Sequence, residues 1–112
     1  MKIIKDNISR EELSIIAESI FGDMVKGVVD IEKDILCIDA ELHADIEAFL
    51  LEQGSKQENL WGINLYPEIL GEDFLEFDSL INIRPRQNNR SRGVEDETIQ
   101  EKIRDIINNK IK

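Results

Sequence analysis

Apolar residues recur at helical spacing in three segments of this chain and gather into compact or alternating runs in four others. The order of these segments restricts the fold more tightly than composition does. Ser9 with Glu12 three residues later has the spacing of a capping box, and Leu13, Ile16, Ala17 and Ile20 follow at helical intervals. A helix over residues 10–21 is therefore predicted, ended by Gly22. Met24 to Ile31 is rich in valine, Ile35 to Ile38 is a second apolar run, and Glu32-Lys33-Asp34 between them reads as the turn of a β-hairpin. Gly27 inside the first strand marks a bulge or a close approach. Asp39 is placed to cap a second helix, on which Leu42, Ile46, Phe49 and Leu50 form one stripe and Gly54 closes the last turn. The stretch Ala40 to His43 is open to a second reading, as an extension of the preceding strand.

Trp61 to Tyr66 alternates, with Trp61, Ile63 and Leu65 on one side and Gly62, Asn64 and Tyr66 on the other, until Pro67 stops it. A longer strand is expected from Phe74 to Arg84, ended by Pro85, which has no ladder donor. Arg86 to Gly93 reads as a polar loop. Glu95-Asp96-Glu97 place negative charge at the start of a last helix, and Ile99, Ile103, Ile106, Ile107 and Ile111 supply its apolar stripe. The order α-β-β-α-β-β-α predicts an α+β fold. Its expected form is one domain over residues 1–112, a four-stranded, mainly antiparallel sheet with the helices packed on one face. The other face is then left to water or to a partner.

With 41% apolar and 34% charged residues, 112 residues suffice for one hydrophobic core. Cys37 is the only cysteine and lies in an apolar run, so it reads as a small buried hydrophobe and no internal disulfide exists. No apolar run approaches the roughly 20 residues of a membrane span, and the first residues lack the apolar core of a secretory signal; cytoplasm is the expected compartment. A net charge of −10 repels DNA, RNA and anionic lipid on average.

Three constellations carry candidate chemistry. His43 is the only histidine, set in Glu41-Leu42-His43-Ala44-Asp45-Ile46-Glu47. On a helix Glu47 and Asp39 reach its face; on a strand Glu41 and Asp45 do. A carboxylate beside an imidazole is the wiring of a general base, and equally that of a surface ion pair. With one histidine and one cysteine no zinc site is expected, and no cofactor motif is present. Second, Arg84, Arg86, Arg90 and Arg92 lie within nine residues that contain no acid, a stretch of +4 in a chain of −10. Guanidinium forks suit phosphate and carboxylate, so an anionic small molecule or acidic protein is the expected partner. RNA is the lesser candidate, because no aromatic is interleaved for base stacking. The competing reading is a solvated loop that offsets the acidic surface. Third, Asn64 on one strand and Asp78, Asn82 and Arg84 on the next line one sheet face if the two strands pair antiparallel. Ser55 after Gly54 reads as part of a helix stop, not a nucleophile, and Trp61 as a core anchor.

The runs Glu41-Leu42-His43-Ala44-Asp45, Glu52-Gln53-Gly54-Ser55, Leu60-Trp61-Gly62-Ile63-Asn64 and Ile81-Asn82-Ile83-Arg84-Pro85 resemble a small prokaryotic family of unknown function. The resemblance spans nearly the whole chain and implies a stand-alone cytoplasmic domain; it assigns no activity, cofactor or partner. The expected function is a binding module for an anionic ligand held by Arg84, Arg90 and Arg92 with Asn64 and Asn82. The alternatives are a small hydrolase with His43 as base, oriented by Glu41, Asp45 or another nearby carboxylate, and a homodimeric interaction protein.

Overall fold

The computed structural model describes residues 1–112. Its helices are α1 (Arg10–Ile20), α2 (His43–Glu52) and α3 (Glu97–Lys110); its strands are β1 (Lys2–Ile4), β2 (Val25–Asp30), β3 (Ile35–Ile38), β4 (Leu60–Leu65) and β5 (Leu75–Glu76). The α+β class holds, and every strand pair is antiparallel. The sheet has five strands, not four, in the spatial order β1-β3-β2-β4-β5. The added strand is the N-terminal arm, which pairs with β3.

Local capping chemistry sets most helix ends. The Ser9 hydroxyl accepts the Glu12 N–H at 3.0 Å, and the Asp96 carboxylate accepts from Thr98 and Ile99. Gly54, at φ +98°, closes α2 in a left-handed conformation that favours glycine. Across it the N–H groups of Ser55 and Gly54 reach back to the carbonyls of Leu50 and Leu51. Asp39 does not cap α2: it turns the chain at φ +74°, and the helix begins after Leu42 with no side-chain cap.

The expectation that all helices share one face is corrected. Leu13 and Ala17 of α1 and Ile103, Ile106 and Ile107 of α3 pack with Val25, Val29, Leu36, Ile38, Trp61, Ile63 and Leu65. Ile46 and Leu50 of α2 pack on the opposite face, against Val28, Cys37 and Leu60. The central strands are apolar on both faces, so water on either one would leave valine and leucine uncovered. All six residues of β4 are buried.

The long strand expected over Phe74–Arg84 shrinks to Leu75–Glu76, followed by a 3₁₀ turn at Leu80–Asn82. Here side chains compete with the ladder. The Ser79 hydroxyl accepts the Ile81 N–H. The Asn82 carboxamide then takes the place of a strand: its Oδ1 accepts the Gly62 N–H at 2.8 Å and its Nδ2 donates to the Gly62 carbonyl at 3.0 Å. Glycine is required at that rung, since a Cβ on residue 62 would lie 2.5 Å from the Ser79 Cβ. No helix is long and apolar enough to cross a membrane.

Candidate functional site

Antiparallel register places Lys26 of β2 opposite Asn64 of β4, and Asn64 opposite Glu76 of β5. One polar row therefore crosses three strands on the face that α2 covers. Helix α2 lies over the neighbouring Val28, and its first turn, Leu42-His43-Ala44, stops at the edge of the row. The Ser79–Ile81 turn rises on the other side. Between them opens a cleft of about 440 Å³, with Lys26, His43, Asn64, Tyr66, Glu76, Asp78 and Arg92 contributing its polar lining.

The floor is a connected network. Asn64 Nδ2 donates to Glu76 Oε1 at 2.8 Å and to the Asp78 carbonyl at 3.2 Å. Two acceptors at Nδ2 fix the orientation of the amide, so its Oδ1 is the atom left without a donor, although Asn64 is only 5% exposed. The Tyr66 hydroxyl donates to the same Glu76 oxygen; burial, then that hydrogen bond and carboxylate charge, hold the phenol above its ordinary pKa. Arg92 Nε meets Asp78 Oδ1 at 2.6 Å, both half-exposed, and its two terminal guanidinium nitrogens have no hydrogen-bond partner in the protein. Lys26 stands 5.0 Å over the Phe21 ring and enters no ion pair.

His43 is 8% exposed, and its Nε2 lies 2.8 Å from the Ile63 carbonyl. A carbonyl can only accept, so Nε2 carries the proton and Nδ1 holds the lone pair of the neutral ring. Burial is the main cause that lowers the imidazole pKa. Lys26 adds to the lowering, while the Ile63 carbonyl, the Asn64 amide and Asp78 oppose it. The ring is therefore neutral near pH 7.

The carboxylates that the sequence offered to His43 do not reach it. Glu41 and Asp45 are exposed, and no acid lies within ion-pair distance of the ring. The ring is oriented by main chain instead. The arginine-rich segment also divides. Arg92 joins the cleft. Arg84 turns away from it, its guanidinium 4.2 Å over the Trp61 ring and donating to the Gln57 and Leu60 carbonyls and to Gln87 Oε1 at 3.0 Å. Arg90 and Arg86 are exposed. Asn82 is fully buried in the sheet-edge bond, and Asn89 folds the loop by donating to the carbonyls of Asn82, Ser91 and Gly93. Glu95 accepts the N–H groups of Arg90 and Ser91, which hold its carboxyl below the usual range. Ser55 donates to the buried Asp30 carboxylate at 2.7 Å, far from the cleft in role.

Lys26, Tyr66 and Glu76 were not singled out by the sequence. Tyr66 shares the strand parity of Asn64, and Lys26 is the one charge between Val25 and Val29, so the signal was parity within strands whose register was unknown. No group of three or more His, Cys, Asp and Glu side chains is arranged to hold a metal ion. What the cleft offers is one uncapped helix N-terminus, two cations with free N–H groups, an imidazole lone pair and two carboxylates. Comparisons with curated proteins and with solved structures give no match. Residues 2–110 do match a family described as protein of unknown function, DUF5674, and the chain belongs to that family.

Proposed function

We propose that this protein is a small binding module whose ligand carries an anionic group, carboxylate or phosphate, seated in the cleft at the start of α2. The observation that carries this reading is that α2 begins there without a side-chain cap. The N–H groups of His43 and Ala44 are therefore left without a partner, while that of Asp45 bonds the Leu42 carbonyl at 3.2 Å, and the positive end of the helix dipole lies at the cleft. Lys26 and the unpartnered terminal nitrogens of Arg92 supply the two cations that such a group needs. Leu42 and Leu80, both more than half exposed, flank the opening and suit the organic body of a small molecule. Glu76 and Asp78 exclude a ligand that is anionic throughout and favour donors on its other end.

The reading is tested by amide NMR titration of the full chain with benzoate and with phenyl phosphate. The N–H signals of His43 and Ala44 and the side-chain signal of Arg92 are expected to move together and saturate. Arg92→Gln weakens the binding about tenfold, the scale of a charge-assisted hydrogen bond. Asp78→Asn, which releases Arg92, strengthens it. Signals at His43 and Ala44 that stay fixed for both probes refute the proposal.

A further inference from the structure

A second cleft, of about 430 Å³, lies on the α1/α3 side of the molecule between the start of α1, the 3₁₀ turn at Gly71–Phe74 and α3. Arg10 and Arg104 both line it. Each guanidinium is stacked on an aromatic ring, Arg10 at 4.0 Å from the Phe74 centroid and Arg104 at 5.3 Å from that of Phe77. Arg10 Nη1 also donates to the Pro67 carbonyl at 3.1 Å. Neither arginine forms an ion pair, in a chain that has 24 acidic and 14 basic side chains. Two like charges fixed in one cleft repel each other, and an acidic protein has ample carboxylates with which to neutralise them. Only Glu72 lines the cleft with them.

We infer that this cleft is a second ligand site, independent of the one at α2, and that it takes the phosphate group of a phosphorylated small molecule. Arg10 Nε and Nη2 and Arg104 Nε and Nη1 have no hydrogen-bond partners inside the protein. The Arg10 guanidinium is held between the Phe74 ring and the Pro67 and Ile69 carbonyls, so little side-chain entropy is lost there on capture. The charge of about −1.5 to −2 on a phosphate monoester near pH 7 matches two arginines, whereas a carboxylate matches one. Asn108 adds a donor amide at the rim, and Leu75 and Ile107 give an apolar wall for the organic part. Glu72 opposes the anion and sets the affinity low enough for exchange.

The test is titration of the full chain with phenyl phosphate, inorganic phosphate and benzoate, read at the arginine Nε–H signals of Arg10 and Arg104. Phenyl phosphate is expected to shift both signals saturably below about 10 mM, a weak-ligand affinity. Inorganic phosphate binds more weakly for want of the apolar contact, and benzoate more weakly by about tenfold for want of charge. Arg104→Gln, an exposed position, removes the effect at Arg10; Glu72→Gln strengthens binding several-fold; Arg92→Gln, in the other cleft, changes neither. Phenyl phosphate that leaves both signals unmoved, or that moves them equally in the Arg104→Gln protein, overturns the inference.

Discussion

Gly62→Ala is the substitution that most severely probes how the wall of the α2 cleft is held. The added methyl would sit 2.5 Å from the Ser79 Cβ, 2.6 Å from its Oγ and 3.1 Å from Ile81 Cγ1. Ser79 is itself buried and tied through its N–H to the Arg92 carbonyl at 2.9 Å, so it has no free direction in which to move. Overpacking of this kind costs about 1–3 kcal/mol. The shift also pulls the Asn82 carboxamide off the Gly62 N–H and carbonyl, two buried hydrogen bonds worth about 1 kcal/mol each. The expected loss is therefore about 3–5 kcal/mol, a drop in Tm of at least about 12 °C for a domain of this size. Asn82→Ala strands the same two main-chain groups and should cost about 2–4 kcal/mol. Because both changes break one interaction, the double mutant loses less than the sum. Thermal and urea unfolding by circular dichroism measures all three. A Gly62→Ala protein within about 1 kcal/mol of the parent, or a strictly additive cycle, refutes the idea that Asn82 completes the edge of β4.

His43 binds fewer protons folded than unfolded, because burial lowers its pKa. Its contribution to stability is full above the ordinary histidine value of about 6.5 and is lost as pH falls through the lowered folded value; His43→Gln should remove that part of the acid sensitivity in urea unfolding. Arg84→Gln should destabilise by about 1–3 kcal/mol, since it frees the Gln57 and Leu60 carbonyls, and should change the fluorescence of Trp61 while leaving binding in the α2 cleft intact. Burial pushes the Cys37 thiol up to about 11, so a thiol reagent at pH 8 should label it only at the rate of unfolding.

Much of the fold was legible where local chemistry decides. Ser9, Gly22, Gly54 and Asp96 mark helix ends that the structure places at the same residues to within a turn. The isoleucine stripe of α3 is the face that packs on the sheet. The side chosen by α2 was misread: the expectation put every helix on one face, although Val28-Val29 and Ile35-Leu36-Cys37-Ile38 are continuous runs, which belong to strands covered on both faces and leave open which helix covers the second. The end of β5 was not legible. Phe74 to Arg84 has the period of a strand, and only the tertiary pairing of Asn82 with Gly62 makes a turn there more favourable than a ladder.

The site was legible in part for the same reason. Asn64 and Asp78 do converge, because the chain leaving β5 runs beside β4, and Arg92 joins them from the loop that the Ser79 N–H holds through the Arg92 carbonyl. Four arginines in nine residues look like one patch in sequence. In space the asparagine-knotted loop sends Arg84 to Trp61, Arg92 to Asp78 and Arg90 to solvent, and no spacing rule forecasts that division. His43 reaches the cleft through the start of α2, oriented by a carbonyl of β4 that is twenty residues away in sequence.

Fragment soaking of crystals of the full chain, with small carboxylates and phosphates, interrogates the cleft at α2 without prior choice of ligand. Density for an anionic group against the His43 and Ala44 amides, with Lys26 and Arg92 beside it, is the expected result. Fragments that bind elsewhere on the molecule while those amides and Arg92 stay bare would contradict it.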